Sequence, residues 1–362
     1  MTKYQFLILH LLLFTKALFA AEVLSTSQTE FVFPQHSVVL NIASATDIEA
    51  ISPVIDAFEK KHPQIQVNYF ELSSQELYTK IKNGELSNVD VVMSSAMDLQ
   101  IKLANDGFAE KLAITDLVGI PGWSHWGEEV FGFTFEPVAM AVNTAAFSKH
   151  PPPSNHEEFA NALRVTPDKY MRKVGTYDIR LSGTGYLFAS QDSVASGISG
   201  RIYEGLARSQ AKLYCCTSNM LDDLARGDII VAYNVLGSYA LSRARVDKRI
   251  KVILPDDYSL VMSRVVFVPK FSRHFNEAQD FVRFLLSREG QEIIANQSGL
   301  IAIREDVSGE STSRYLSENN QLRFSPIKVK PSILVFQDKM KRDKLVREWT
   351  GLFSVSDTLS DE

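Results

Sequence analysis

Three times before Gly107 a short apolar run ends in a cluster of small polar residues and gives way to helical spacing. Residues 38–43 (VVLNIA) enter Ser44-Ala45-Thr46-Asp47, after which Ile48, Ile51, Val54, Ile55 and Phe58 recur on one helix face until His62-Pro63 stops it. Residues 66–70 read as a second strand before Ser73-Ser74-Gln75-Glu76, a helix start with an acid in its first turn. Residues 89–93 (VDVVM) run into Ser94-Ser95-Ala96-Met97-Asp98 and a helix ending near Asp106-Gly107. Strands alternating with helices demand right-handed crossovers and a mainly parallel sheet, which makes this an α/β chain. In such sheets ligands sit beyond the carboxyl ends of the strands, here at residues 44–47 and 94–96.

The pattern then repeats. Residues 131–143 (FGFTFEPVAMAVN) form a long extended stretch before Pro151-Pro152-Pro153, a junction that cannot be helical. Residues 173–178 read as a strand, Ser182-Gly183-Thr184-Gly185 as a turn opening a helix, and residues 228–233 (DIIVAY) as a strand ending at Asn234. A second long extended stretch, residues 258–270, closes a segment of about 120 residues, an ordinary domain size. Amphipathic helices follow at residues 278–290 and 292–297. The expected architecture has two lobes, residues 21–140 with 265–362 and its C-terminal helices forming one and residues 141–264 the other, with the ligand in the cleft between them.

The N-terminus has a different character. Lys3 heads an apolar run over residues 6–14, too short to span a bilayer, and small residues follow at Ala17, Ala20 and Ala21. Residues 1–20 are expected to be a cleavable signal peptide, with no Cys for lipid attachment, which places the mature protein in the periplasm. Its loss removes Lys3 and Lys16, leaving 36 basic and 43 acidic residues and a formal charge of -7. No basic cluster follows a phosphate backbone, so nucleic acid is excluded as a partner. Cys215 and Cys216 are the two cysteines, and being adjacent they cannot staple a fold. They form either a strained vicinal disulfide or two buried thiols, the latter being the expected state.

The stretches SATDIEAISPVIDAFEKKHPQIQV, DVVMSSAMDLQIKLANDGFAEKL, GTYDIRLSGTGYLFASQD, AYNVLGSY and FLLSREGQEIIANQSGL resemble the periplasmic solute-binding proteins of ABC importers, type II, in the ferric-iron and phosphosugar group that also contains a phosphoglycerate transport regulatory protein. The resemblance runs from about Val38 to Arg304. It implies a two-lobed periplasmic binding protein type II fold that closes on a small solute. The implied partner is an inner-membrane ABC permease or, alternatively, a membrane histidine kinase served by a ligand-sensing receptor. A monomer is expected.

Ferric iron in this fold is typically held by two neighbouring tyrosinates, and a hard cation wants such oxygen ligands. The chain has 12 Tyr but no Tyr-Tyr pair, Tyr233 and Tyr239 lying six apart. No metal and no cofactor is therefore expected, although a ferric-iron-binding protein stays as an alternative. Free N–H groups and the helix dipole make the turn at Ser182, Gly183 and Thr184 a natural anion site, which the resemblance places at the cleft. Ser44, Ala45 and Thr46, with Ser94 and Ser95, offer hydroxyls and N–H groups from the opposite lobe, though Ser and Thr there also serve as ordinary caps. Tyr233 and Asn234 complete the candidate ligand set. Arg180, Arg201 and Arg264 are candidate charge partners, and Trp123, His125 and Trp126 candidate walls. No Gly-x-Ser-x-Gly, His-Glu-x-x-His, phosphate loop or Cys-x-x-Cys is present, so no catalytic residue is assigned and the chain is not expected to be an enzyme. The resulting expectation is capture of a small anionic organic solute, a phosphorylated metabolite first, and a carboxylate or phosphonate second.

If the leader is cleaved as read, mature protein released by osmotic shock begins near Ala21 or Glu22 in its intact mass. Exported protein that retains Met1 contradicts this.

Overall fold

Alternate residues of the first apolar runs are buried on opposite faces, and that decides how the sheets are covered. The computed structural model describes residues 38–358 except 321 and 323, so the expected signal peptide lies outside the described residues. In chain order the strands are β1 (Val38–Ser44), β2 (Ile65–Glu71), β3 (Val91–Ser94), β4 (His125–Trp126), β5 (Val130–Gly132), β6 (Glu136–Asn143) and β7 (Val174–Tyr177). They continue with β8 (Lys212–Tyr214), β9 (Val231–Leu236), β10 (Ile250–Ile253), β11 (Ser259–Met262), β12 (Val265–Phe267) and β13 (Phe324–Pro326). One sheet has the order β2-β1-β3-β12-β5-β4, the other β13-β11-β6-β9-β7-β8 with β10 also on β6.

Each sheet has a parallel half built as the sequence pattern requires. β1 pairs parallel with β2 and β3, and β7 pairs parallel with β8 and β9. Val91 and Met93 of β3 pack with Val54, Phe58 and Phe281 under the helices Ile48–Lys61 and Phe275–Leu286, while Val92 between them joins a cluster on the other face. β6 repeats the device, sending Met140 and Val142 to one cluster and Ala139 and Ala141 to another. Strands covered on both faces read as continuous apolar runs, which is why they stand out in the sequence.

The two long extended stretches each break into two strands and change sheet. Residues 131–143 supply most of β5 to one sheet and all of β6 to the other, and residues 258–270 supply β11 and β12 in the reverse sense. These strands pair antiparallel, β12 with β3 and β5, β6 with β9, β10 and β11, which makes both sheets mixed. The two passages run side by side, Phe133 N–H donating to Arg264 O at 2.9 Å and Arg264 N–H to Thr134 Oγ1 at 2.9 Å.

The C-terminal segment departs from the expected grouping of residues 265–362 with the first sheet. β13 adds parallel to β11, and the helix Lys339–Thr358 packs along the helix Ile198–Arg208, burying Trp349 in the cluster that holds Phe159, Ile202 and Tyr233. The apolar face made by Leu345, Val346 and Trp349 determines that docking. Between them, the turn Pro331–Gln337 lies against the helix Met97–Asn105, and Gln337 Nε2 donates to Asp98 Oδ2 at 2.5 Å.

Burial pushes the Asp98 carboxyl up to about 6 from 3.8, in spite of the Gln337 amide, the Leu99 N–H and nearby Arg342. A raised carboxylate means that the folded state binds more protons than the unfolded one between those values. Its stabilising contribution is complete below about pH 3.8 and is lost as pH rises through about 6. Asp98→Asn removes the penalty. The variant is expected to gain up to about 3 kcal/mol over the parent at pH 7 and nothing near pH 3.5, read from paired urea melts.

Candidate functional site

Three helices begin at one cavity between the sheets. Ser73 caps the helix Ser74–Lys82 by accepting from Glu76 N–H, and Ser182 caps the helix Gly183–Ala195 by accepting from Gly185 N–H. The helix Thr217–Arg226 follows Cys216, which makes no side-chain cap. The first N–H groups of a helix have no intrahelical acceptor, and each capping hydroxyl takes only the third of them. Of the residues whose N–H groups this leaves without an intrahelical acceptor, Ser74, Thr184, Thr217 and Ser218 line the cavity.

The cavity has a volume of about 250 Å³. From the first sheet it is lined by Ala45, Asp47, residues 71–74, Glu76 and Ser95. From the second come Tyr177, Leu181, Ser182, Thr184, residues 215–218, Leu236 and Tyr239. No Lys or Arg lines it, so positive potential comes from backbone dipoles rather than from side-chain cations. Two of its carboxylates already have donors: Ser218 Oγ donates to Asp47 Oδ2 at 3.0 Å and Ile48 N–H to Glu71 Oε2 at 3.0 Å.

Hydrogen bonds across the cavity hold the two sides together. Ser95 Oγ and Thr184 Oγ1 are 2.7 Å apart and buried, and Asp47 N–H donates to the Tyr239 phenol oxygen at 3.0 Å. Burial pushes Tyr239 up to about 12 against the pull of Arg264, and it raises Tyr177, which shares a hydrogen bond with Thr217 Oγ1, still further. Both phenols are therefore neutral hydrogen-bonding groups at pH 7.

Of the residues expected from sequence, Ala45, Ser95, Ser182 and Thr184 line the cavity. Ser44 and Ser94 lie behind the wall and turn their hydroxyls to the chain itself, accepting from Thr46 N–H and Ala96 N–H at 3.0 and 3.1 Å. Thr46 Oγ1 accepts from Arg264 Nη1 at 3.1 Å. Gly183 is the point of closest approach, since a Cβ there would sit 2.8 Å from Leu99 Cδ1, 3.0 Å from Ser74 Oγ and 3.1 Å from Ala96 Cβ. Tyr233 and Asn234 face away, into the second sheet's core. Asn234, at φ 60°, donates to Asp192 Oδ2 at 2.7 Å and the Tyr233 hydroxyl to the same atom at 3.0 Å.

The other candidates separate similarly. Arg180 and Arg201 are exposed and pair with Asp178 and Glu157, while Arg264 is fully buried on Glu136. Trp123, His125 and Trp126 are absent from the cavity wall. Cys215 and Cys216 are joined rather than free, and Cys215 is exposed rather than buried, because β8 ends at the cavity rim. Sequence reasoning missed the helix start at Thr217 and the carboxylates of Glu71 and Glu76, and it placed Asp47 at the ligand end of a strand without giving its carboxylate a role. The signal for the last was present in Ser73-Ser74-Gln75-Glu76, read only as a helix start.

The model of the bacterial extracellular solute-binding proteins matches residues 40–299, a span that includes every cavity residue and, but for β13 and the first two residues of β1, the strands of both sheets. The chain belongs to that family. A substrate-binding protein of an ABC transporter from Agrobacterium tumefaciens is 30% identical over 90% of this chain and 96% of its own, with a TM-score of 0.83. AfuA from Actinobacillus pleuropneumoniae, a periplasmic binding protein with fructose 6-phosphate bound, is 17% identical over 88% of this chain and 99% of its own, with a TM-score of 0.72. Iron-bound HitA from Pseudomonas aeruginosa is 19% identical over 86% and 99%, with a TM-score of 0.68. These two share the fold, that of two-lobed periplasmic binding proteins. In sequence the chain matches none of the curated proteins. As a solute-binding protein it is not an enzyme. No helix among the described residues is long and apolar enough to cross a membrane.

The close approach at Gly183 sets a test of how the two sides of the cavity meet. Gly183→Val adds two methyl groups where Leu99, Ser74 and Ala96 already crowd a Cβ, and small-angle scattering is expected to give a larger radius of gyration. Gly183→Ala should stay near the parent, since the one atom closer than 3.0 Å to its Cβ is the flexible end of Leu99, and Ser74 Oγ and Ala96 Cβ need give by only a few tenths of an ångström.

Proposed function

We propose that the protein is the periplasmic receptor of an ABC importer, and that it captures a small organic solute with an anionic end. The observation that carries this reading is the convergence of three helix starts, with uncommitted N–H groups, on one cavity between the sheets. A protein of formal charge -5, or -7 without its leader, does not attract an anion by its overall field, so such local donors must do so. A phosphate ester suits them first, a carboxylate or phosphonate second, and the likeness to AfuA adds weight to the phosphate.

The carboxylates of Asp47, Glu71 and Glu76 set a second requirement. The rest of the solute must donate hydrogen bonds, through hydroxyls or an amine, because a bare polyanion would meet like charge there. Ferric iron fits less well. Among the described residues no three His, Cys, Asp or Glu side chains group to hold a metal, and the phenol oxygens of Tyr177 and Tyr239 are engaged by Thr217 and by Asp47 N–H.

In this reading the two sheets are the two lobes, and the hinge is the paired passage between them, at residues 133–135 and 263–264. A solute touching both sides then shifts the population toward the closed form.

Thermal shift and titration calorimetry with inorganic phosphate, glycerol 3-phosphate, fructose 6-phosphate and small carboxylates test the ligand class. A phosphate ester is expected to raise the melting temperature. Ser74→Pro removes one N–H at the first helical position, where proline is tolerated, and should weaken that binding by about tenfold to a hundredfold. Binding of an uncharged sugar but of none of these anions would refute the reading.

A further inference from the structure

The joined cysteines lie in the cavity wall, and the described function leaves them without a role. Both Cys215 and Cys216 line the cavity, and Cys215 is exposed to solvent. Cys216 occupies the cap position of the helix Thr217–Arg226 in the extended conformation that capping residues use, yet makes no side-chain cap. That helix start is anchored independently of the sulfur bond. Thr217 Oγ1 bonds with the Tyr177 hydroxyl and accepts from Leu236 N–H at 3.2 Å, and Ser218 Oγ donates to Asp47.

We propose that the Cys215–Cys216 bond is a reducible site for thiol reductants, and that opening it sets a Cys216 thiolate in competition with the anionic solute. A reductant thiolate attacks the exposed Cys215 sulfur, the S–S bond breaks, and Cys216 leaves as a thiolate. A second reductant thiol then displaces Cys215 from the mixed disulfide. Two reductant thiols become one disulfide, and their two electrons reside on the cysteine pair. A cysteine at a helix start is acidified by the helix dipole, and the more acidic thiol leaves faster, so Cys216 is the natural leaving group. Once free, its thiolate accepts from the N–H groups of Ser218 and Asn219, as a capping Ser or Asp would. A disulfide sulfur carries no charge and leaves those donors to the solute.

The solute half of this proposal rests on the anion reading above, so the test keeps the two apart. Full-length mature protein is titrated with glycerol 3-phosphate, a phosphate ester that carries hydroxyl donors, in its oxidised form and after dithiothreitol. Reduction is expected to open the bond in folded protein, counted by maleimide labelling, and to weaken glycerol 3-phosphate binding about tenfold at pH 8. The difference should shrink at pH 5, where the thiol is protonated. Cys215→Ser, which leaves Cys216 permanently free, should bind like the reduced form with or without reductant. Labelling only after denaturation, or equal glycerol 3-phosphate binding by both forms, overturns the proposal. If neither form binds glycerol 3-phosphate or any other anion of the panel above, the anion reading fails, and ultraviolet thiolate absorbance judges the redox site alone. A Cys216 midpoint below about 8.5, the ordinary thiol value, supports the site, and a midpoint at or above it overturns it.

Discussion

The two chain passages that join the sheets meet at the Arg264 guanidinium. Arg264 and Glu136 are both fully buried, with Arg264 Nε donating to Glu136 Oε1 at 2.8 Å. Arg264 precedes β12 on one passage and Glu136 opens β6 on the other, so the ion pair clasps the two crossings. From the same guanidinium Nη1 reaches Thr46 at the end of β1, and the Tyr239 ring faces it at 4.6 Å. Taking two ions out of water is costly, and leaving either unpaired costs about 3–5 kcal/mol, so such a pair persists only where its geometry is fixed. Here it fixes the floor of the cavity. Tyr239 lies between Arg264 and the ligand space, and its phenol oxygen accepts from Asp47 N–H.

The cavity thereby separates structural charge from binding charge. The buried guanidinium at the crossing bonds Glu136 through Nε and Thr46 through Nη1, and the surface cations Arg180 and Arg201 are paired elsewhere. What faces the cavity is a set of N–H groups fixed by helix geometry. Such donors lose little entropy on binding, since the helices are ordered before the ligand arrives. They also set no charge balance of their own, which is how three carboxylates can share the same small space.

The α/β pattern, the helix starts near Ser74 and Gly183 and the two extended stretches were legible in the sequence, the stretches because strands covered on both faces leave uninterrupted apolar runs. The breaks within those stretches were not. Residues 131–143 have no punctuation at 133–135, and the change of sheet there is dictated by partners such as Arg264 and Ile301, far away in the chain. Site residues divided for a similar reason. A Ser after a strand can turn its hydroxyl outward, as Ser95 does, or back to its own turn, as Ser44 and Ser94 do, and the local sequence is the same in both cases. Tyr233 and Asn234 sit at a strand end as a ligand residue would, but Asp192 on a neighbouring helix claims them. The cysteine pair was visible, while its place at the rim depended on where β8 stops.

One detail of the C-terminal turn limits how far the halves can part. Phe336 O accepts from the Tyr186 hydroxyl on the second sheet's helix, and the very next residue, Gln337, holds Asp98 on the first sheet's helix. Neighbouring Cα atoms are about 3.8 Å apart, and the peptide between them does not stretch. The chain therefore has no slack at this point, and separation there by more than a few ångströms must release one grip or the other. Any travel at the mouth is bounded by a two-residue tether as well as by the clasp at the crossings.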